Sequence, residues 1–152
     1  MTYTHEQIEQ AIVEWQKRLR MQDWEFAVDW DGEPEGECAL GSVKQVPGRK
    51  LAVIRLNKDH LEAASPAELS HIIAHELSHM ILEPMDNAVD LALDGASTEK
   101  TLLVRRLAHY ANEIVTDAIA AAFCRAYGPP QCLRKSVQIT VFGGDNPNDA
   151  VP

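Results

Sequence analysis

Two histidines and a glutamate occur together as His75-Glu76-Leu77-Ser78-His79, the HExxH pattern. Four residues are slightly more than one helical turn, so on a helix the two imidazoles project from one face and can bind a single Zn²⁺. Glu76 then lies beside them, where its carboxylate can take a proton from a metal-bound water. The pattern predicts a hydrolytic centre with one zinc ion per chain, His75 and His79 as metal ligands and Glu76 as general base.

A catalytic zinc ion normally has three protein ligands and one open position, so a third ligand should lie on another packed element. Glu113 is the predicted third ligand, because the alanines around it indicate a helix face packed closely on another helix. His109 lies four residues earlier on nearly the same face and is the alternative third ligand, or a group near the substrate. His71, one turn before His75, is predicted to line the interior or cap the site.

Amide hydrolysis also requires a group that stabilises the oxyanion of the transition state. Besides the metal, the sequence offers His109 and the phenol of Tyr110 as candidate donors. The sequence does not decide which of the two residues has this role.

The helix that carries the motif has three independent start signals: Ser65 at the N-cap, Pro66 at the first helical position and Glu68 at the third. Its apolar series continues to about residue 82, and Glu83-Pro84 is predicted to end it. Residues 84–97 are then expected to be a turn-containing connection.

The remaining periodicities predict an α+β fold with a small, mostly antiparallel sheet of three or four strands. A capping box followed by helical spacing predicts an N-terminal helix over residues 5–20, and a glycine followed by prolines ends a long ligand helix at 98–127. Alternating or β-rich segments predict strands at 24–30, 38–46, 50–57 and 136–142. The Pro-Gly turn at 47–49 predicts that the second and third strands pair as an antiparallel hairpin.

The segment Asn112-Glu113-Ile114-Val115-Thr116-Asp117 resembles the NExxSD-type segment of the gluzincins, the thermolysin-like branch of the zincins. In that branch HExxH is followed, on a later helix, by a glutamate ligand and then by an aspartate four residues on. The resemblance implies a zincin-like fold, and it implies that Asp117 accepts a hydrogen bond from His75, fixing the tautomer of that imidazole.

The resemblance covers residues 68–82 and 109–123, about a fifth of the chain. The 33 residues between His79 and Glu113 exceed the separation in thermolysin-like enzymes, and a chain of this length has no room for their second domain. The whole is more similar to small stand-alone zincin-like metallopeptidases of bacteria and their phages. These keep a helix, a short sheet, a motif helix and a ligand helix.

Length and composition predict one domain over residues 1–152, with 143–152 as a flexible tail. A formal net charge of -9 disfavours nucleic acid as a partner. No apolar run approaches 18 residues and the N-terminus lacks signal-peptide features, so we expect a cytoplasmic protein without membrane contact. Composition and motifs indicate no particular oligomeric state.

The predicted function is a zinc-dependent metallopeptidase that acts on a peptide or protein substrate. An extended peptide is expected to add a strand to an exposed edge of the sheet, which favours proteolysis over hydrolysis of a small amide. The alternative is a non-catalytic zinc-binding module of the same fold that docks a regulatory or interaction partner. A purely structural zinc ion needs no general base, so the presence of Glu76 favours the enzyme.

Overall fold

The computed structural model describes residues 3–36 and 39–134. Within them the chain forms four α-helices, three β-strands and one short 3₁₀ helix. In chain order these are α1 (His5–Arg18), β1 (Glu25–Val28), β2 (Gly41–Gln45), β3 (Leu51–Leu56), α2 (Lys58–Ala63), α3 (Pro66–Ala92), α4 (Thr98–Tyr127) and the 3₁₀ helix Gln131–Leu133. The predicted α+β class is confirmed, and the strand and tail predicted at 136–142 and 143–152 lie outside the described residues.

The predicted helix starts are confirmed by complete capping boxes. At α1 the Gln7 amide donates to the Thr4 hydroxyl at 3.2 Å while the Gln7 side chain accepts from the Thr4 amide. At α3 the Glu68 amide donates to the Ser65 hydroxyl at 3.2 Å, and the Glu68 carboxylate accepts from the Ser65 amide. These reciprocal bonds satisfy backbone donors that have no partner inside the helix, so both helices begin where the sequence predicts.

The sheet is mixed, so the expectation of a mostly antiparallel sheet is wrong. The strand order is β1-β3-β2. The predicted hairpin of β2 and β3 is antiparallel, with Gly41 opposite Leu56, whereas β1 pairs with β3 in parallel, with Val28 opposite Ile54. The chain therefore crosses to the far edge after β1 and returns through the centre, which places the most apolar strand, β3, between the other two.

The core lies where α1 and α3 pack together with the sheet. Trp15 of α1 is completely buried and its indole nitrogen donates to the Ser70 hydroxyl of α3 at 3.1 Å. From β3, Ile54 is fully buried, as are Ile73 and Leu77 from α3. The first half of α3 is therefore a rigid core element, and its motif residues are positioned by that packing.

The prediction that α3 ends at Glu83-Pro84 is wrong. The helix continues to Ala92. A proline inside a helix removes one backbone hydrogen bond, yet packing against a neighbouring helix can outweigh that loss. Beyond Pro84 the Asp86 carboxylate accepts a hydrogen bond from Asn112 of α4, and Asp90 pairs with Arg105 at 3.0 Å. The connection to α4 is thus shortened to residues 93–97.

Two further features complete the architecture. The short helix α2 was not predicted, and the Asn57 side chain caps it by accepting from the His60 amide at 3.0 Å. The long helix α4 begins and ends as predicted, with Gly128 in the left-handed region at φ 65°. None of the helices in the described part of the chain is long and apolar enough to cross a membrane.

Candidate metal centre

The two motif histidines lie on one face of α3, where α4 passes over it. Their side chains are about one-fifth exposed, and the Nε2 atoms of His75 and His79 are 3.2 Å apart. Burial lowers the pKa of His79, which favours the neutral imidazole. Since the neutral ring is the form that binds a metal ion, His79 is suited to act as a nitrogen ligand.

Glu113 reaches this pair from α4. Its carboxylate oxygens lie 3.4 Å from the Nε2 atom of His75 and 3.5 Å from that of His79. The Nε2 atoms are thus 3.2 Å apart, and each is 3.4 to 3.5 Å from a different oxygen of the Glu113 carboxylate, so the three residues can offer one ligand atom each to a single ion. Bonds of 2.0–2.1 Å to a tetrahedral zinc ion separate its ligands by about 3.3–3.4 Å, so the donor set and its spacing fit zinc.

Glu76 lines the same cleft from within the protein. The residue is only 6 % exposed. Burial, with a smaller contribution from the nearby Glu113 charge, raises the pKa of Glu76 to about 7. A carboxylate with a pKa close to neutral can both accept and return a proton at physiological pH, which is what a general base in hydrolysis requires.

Gly41, the first residue of β2, allows Glu76 to lie under the sheet edge. A Cβ atom at position 41 would be 2.8 Å from the Glu76 Oε1 atom and 3.1 Å from the Ile72 Cγ2 atom. Any other residue would force the Glu76 carboxylate or the strand to move. The sequence reasoning missed this role because the contact joins residues that are distant along the chain.

Asp117 contacts a different histidine from the one that the gluzincin resemblance implies. Its Oδ1 atom is 2.9 Å from the Nε2 atom of His71, a hydrogen-bond distance, and 3.9 Å from the Nδ1 atom of His75, which is too long for one. His71 lies one turn before His75 on the same face of α3, so its ring reaches the carboxylate first. His71, predicted to line the interior or cap the site, lines the cleft.

The two candidates for oxyanion stabilisation lie in different surroundings. His109 lines the cleft, and its Nδ1 atom is 3.7 Å from the Glu113 carboxylate. Tyr110 is 67 % exposed and is not among the described residues that line the cleft. His109 does not join a cluster of three ligand atoms within the described ranges, so the structure places Glu113, and not His109, beside the two motif histidines.

The cleft around these residues has a volume of about 770 Å³ and is bordered by residues 39–43 on one side and by α3 and α4 on the other. Besides the groups already described, three carboxylates line it, those of Glu35, Glu83 and Asp86, and none of the described lining residues is a lysine or arginine. Glu35 is paired with Arg55 and Lys44. The cleft therefore presents a negative surface to a bound molecule.

The strand that borders the cleft, β2, is an edge strand. The Asn57 amide donates to the Leu40 carbonyl at 2.9 Å, so Leu40 directs its backbone N–H and C=O groups toward β3. Neighbouring residues in a strand point their backbone groups to opposite sides. Gly41 and Val43 therefore direct N–H and C=O groups away from β3, where no described strand pairs with them.

Comparisons of the chain with protein-family models, with curated proteins and with solved structures find no match. The functional conclusion consequently depends on the chemistry and geometry of the cleft. Three features support it together: the cluster of His75, His79 and Glu113, the buried carboxylate of Glu76 and the edge of β2 that no described strand covers.

Proposed function

We propose that the protein is a zinc-dependent peptidase of zincin-like, gluzincin type, with His75, His79 and Glu113 as zinc ligands. The observation that carries the proposal is that the Nε2 atoms of His75 and His79, 3.2 Å apart, each lie within 3.5 Å of an oxygen of the Glu113 carboxylate. Two imidazoles and one carboxylate suit zinc in both charge and ligand type. A zinc ion held by them would lower the pKa of water toward neutrality and polarise the carbonyl group of a peptide bond.

Glu76 carries the proton transfers. Its carboxylate removes a proton from the attacking water as the oxygen forms a bond to the carbonyl carbon. The same carboxyl group then gives that proton to the nitrogen of the leaving amine as the C–N bond breaks. Burial raises the pKa of Glu76 in the metal-free protein, which favours acceptance of a proton by this carboxylate.

His109 is the proposed donor to the carbonyl oxygen, because it lines the cleft and Tyr110 does not. Asp117 and His71 hold each other by a hydrogen bond beside His75.

An extended peptide is the proposed substrate. The N–H and C=O groups that Gly41 and Val43 direct away from β3 can pair with a peptide backbone, and Glu76 lies directly beneath Gly41. Such pairing would place one peptide bond of the added strand beside the general base. The carboxylates of the cleft favour peptides with neutral or basic side chains near that bond.

Metal content and peptide cleavage test the proposal together. Protein purified without an affinity tag or added metal should contain about one zinc ion per chain by elemental mass spectrometry, and Glu113→Gln should contain far less. Glu76→Gln should keep the zinc but cleave a peptide library at least about 100-fold more slowly. Glu99→Gln, the same substitution at an exposed position of α4, is the matched control and should change neither quantity.

The outcomes separate the two functions that the sequence left open. Zinc binding without cleavage, equal in the protein and in Glu76→Gln, would favour the non-catalytic zinc module. Absence of metal even after zinc is supplied would contradict both.

A further inference from the structure

A second group of side chains with metal-binding chemistry lies beside the proposed zinc site. It consists of His71 and His75 of α3 and Asp117 of α4, and we refer to these three residues as the second cluster. Each residue can offer one ligand atom, and these atoms lie within 4.8 Å of one another. The Asp117 Oδ1 atom is 2.9 Å from the Nε2 atom of His71 and 3.9 Å from the Nδ1 atom of His75. These distances lie on either side of the separation of about 3.3–3.4 Å between the ligands of a tetrahedral zinc ion.

His75 belongs to both clusters through different ring nitrogens. Its Nε2 atom faces Glu113 at 3.4 Å, and its Nδ1 atom faces Asp117 at 3.9 Å. Among the described residues the Nδ1 atom has no hydrogen-bond partner, because the Asp117 carboxylate pairs with His71 instead. When the ring proton is on Nε2, the lone pair of Nδ1 is therefore available to a metal ion on the side of the second cluster.

We propose that the second cluster is a binding site for a divalent ion of the zinc class, and that it is an alternative to the site completed by His79 and Glu113. Imidazole and carboxylate ligands suit such ions. A neutral imidazole offers one nitrogen lone pair and keeps its proton on the other nitrogen, so His75 can serve one site at a time. Filling both sites would remove both ring protons and place two dications on one ring, which Coulomb repulsion opposes.

An ion in the second cluster replaces the proton of the hydrogen bond between His71 and Asp117. In the metal-free protein the His71 Nε2 atom donates to the ionised carboxylate, which cannot itself donate. These side chains are 36 and 64 % exposed, so water can move the proton to Nδ1 and complete the ligand shell of the ion. The ligand atoms of the second cluster are spread more widely than those of His75, His79 and Glu113. We therefore expect the second cluster to bind the ion more weakly.

Variants that disable one cluster at a time test the proposal, with Cd²⁺ as the probe and isothermal titration calorimetry as the measurement. His79→Gln/Glu113→Gln leaves the second cluster complete and should bind one ion per chain, more weakly than the unmodified protein. Adding Asp117→Asn should weaken that binding by at least about 10-fold. Adding Asp94→Asn, at an exposed position between α3 and α4, is the matched control and should leave it unchanged. Equal affinity with and without Asp117→Asn would overturn the proposal.

Nuclear magnetic resonance with ¹¹³Cd and ¹⁵N-labelled histidine shows which nitrogen of His75 holds the ion. The coupling to cadmium should be on Nε2 in the unmodified protein and on Nδ1 in His79→Gln/Glu113→Gln. A coupling that stays on Nε2 in the variant would overturn the second cluster as a site, and two ions bound per unmodified chain would overturn the alternation. Helical circular dichroism checks that each variant is folded, and Glu113→Gln alone provides the same Asp117→Asn comparison if the double variant is not. None of these readouts involves peptide cleavage, so they are decided independently of the proposed peptidase activity.

Discussion

The helix pair of α3 and α4 has two regions that differ in almost every physical respect. Around the motif, α3 lies on the core and Ile73 and Leu77 are fully buried. Beyond Pro84 the same helix carries the exposed Met85 and Leu91, and it is joined to α4 by polar contacts such as Asp90 with Arg105. The proposed metal ligands lie in the first region, where the core packs beneath the motif; the second region is mainly surface.

The largest expected difference between the two regions is in the free energy of unfolding. Trp15→Ala removes a completely buried side chain from the core beneath α3 and should cost about 3–5 kcal/mol. Leu103→Ala, on exposed α4, should cost no more than about 0.5 kcal/mol. Urea unfolding of dilute protein measures both, and equal losses would show that the second region is as tightly packed as the first.

A second test uses the pH dependence of the metal-free protein. The folded protein holds the Glu76 proton more tightly than the unfolded chain, whose pKa is 4.5. The contribution of Glu76 to the free energy of unfolding should therefore be fully present below pH 4.5. It should decrease by about 3 kcal/mol as the pH rises toward 7. Glu76→Gln should lack this loss in urea unfolding with a chelator present, and an unchanged pH profile would contradict the assigned burial.

The contact between Gly41 and Glu76 makes a third prediction, confined to the cleft. Gly41→Ala should destabilise the protein by about 1–2 kcal/mol and slow peptide cleavage, because the new methyl group displaces the Glu76 carboxylate. In a Glu76→Ala background the same substitution should cost less, since the displaced atoms are absent. A double-mutant cycle by thermal unfolding measures this coupling, and strictly additive effects would rule out the contact.

The smallest expected effect is in the second region. Arg105→Gln removes the ion pair with Asp90, whose two side chains are each more than half exposed, and should change global stability by less than about 1 kcal/mol. Amide hydrogen exchange should nevertheless become faster in residues 84–105, with no change around the motif. Faster exchange around His75 as well would show that the two regions unfold as one unit.

Local signals in the sequence predicted the elements that carry the site. The capping boxes at Thr4 and Ser65, the turn at 47–49 and the glycine at 128 all act within a few residues. Each of these local structures therefore depends on neighbouring residues and not on distant parts of the chain. The HExxH spacing belongs to the same class, because a helix alone brings His75 and His79 to one face.

The structure differs from the sequence predictions at three places, and at each of them contacts between distant residues outweigh local signals. The parallel pairing of β1 with β3 depends on which strand is buried at the centre of the sheet, and no turn sequence specifies it. The continuation of α3 past Pro84 depends on contacts with Asn112 and Arg105, which lie more than ten residues away. The partner of Asp117 is His71 because of how α4 lies across α3.

The sequence by itself determined which groups this protein can use: two imidazoles one turn apart, a neighbouring glutamate and a second glutamate on a later helix. These follow from residue identity and helical periodicity, which need no tertiary contact. Only the tertiary structure decided that Glu113 lies within 3.5 Å of both histidines, that Glu76 is buried beneath Gly41 and that apolar side chains of α4 such as Leu107 are exposed. Those outcomes depend on how helices and strands pack, which is set by the burial of the whole core and not by any short segment.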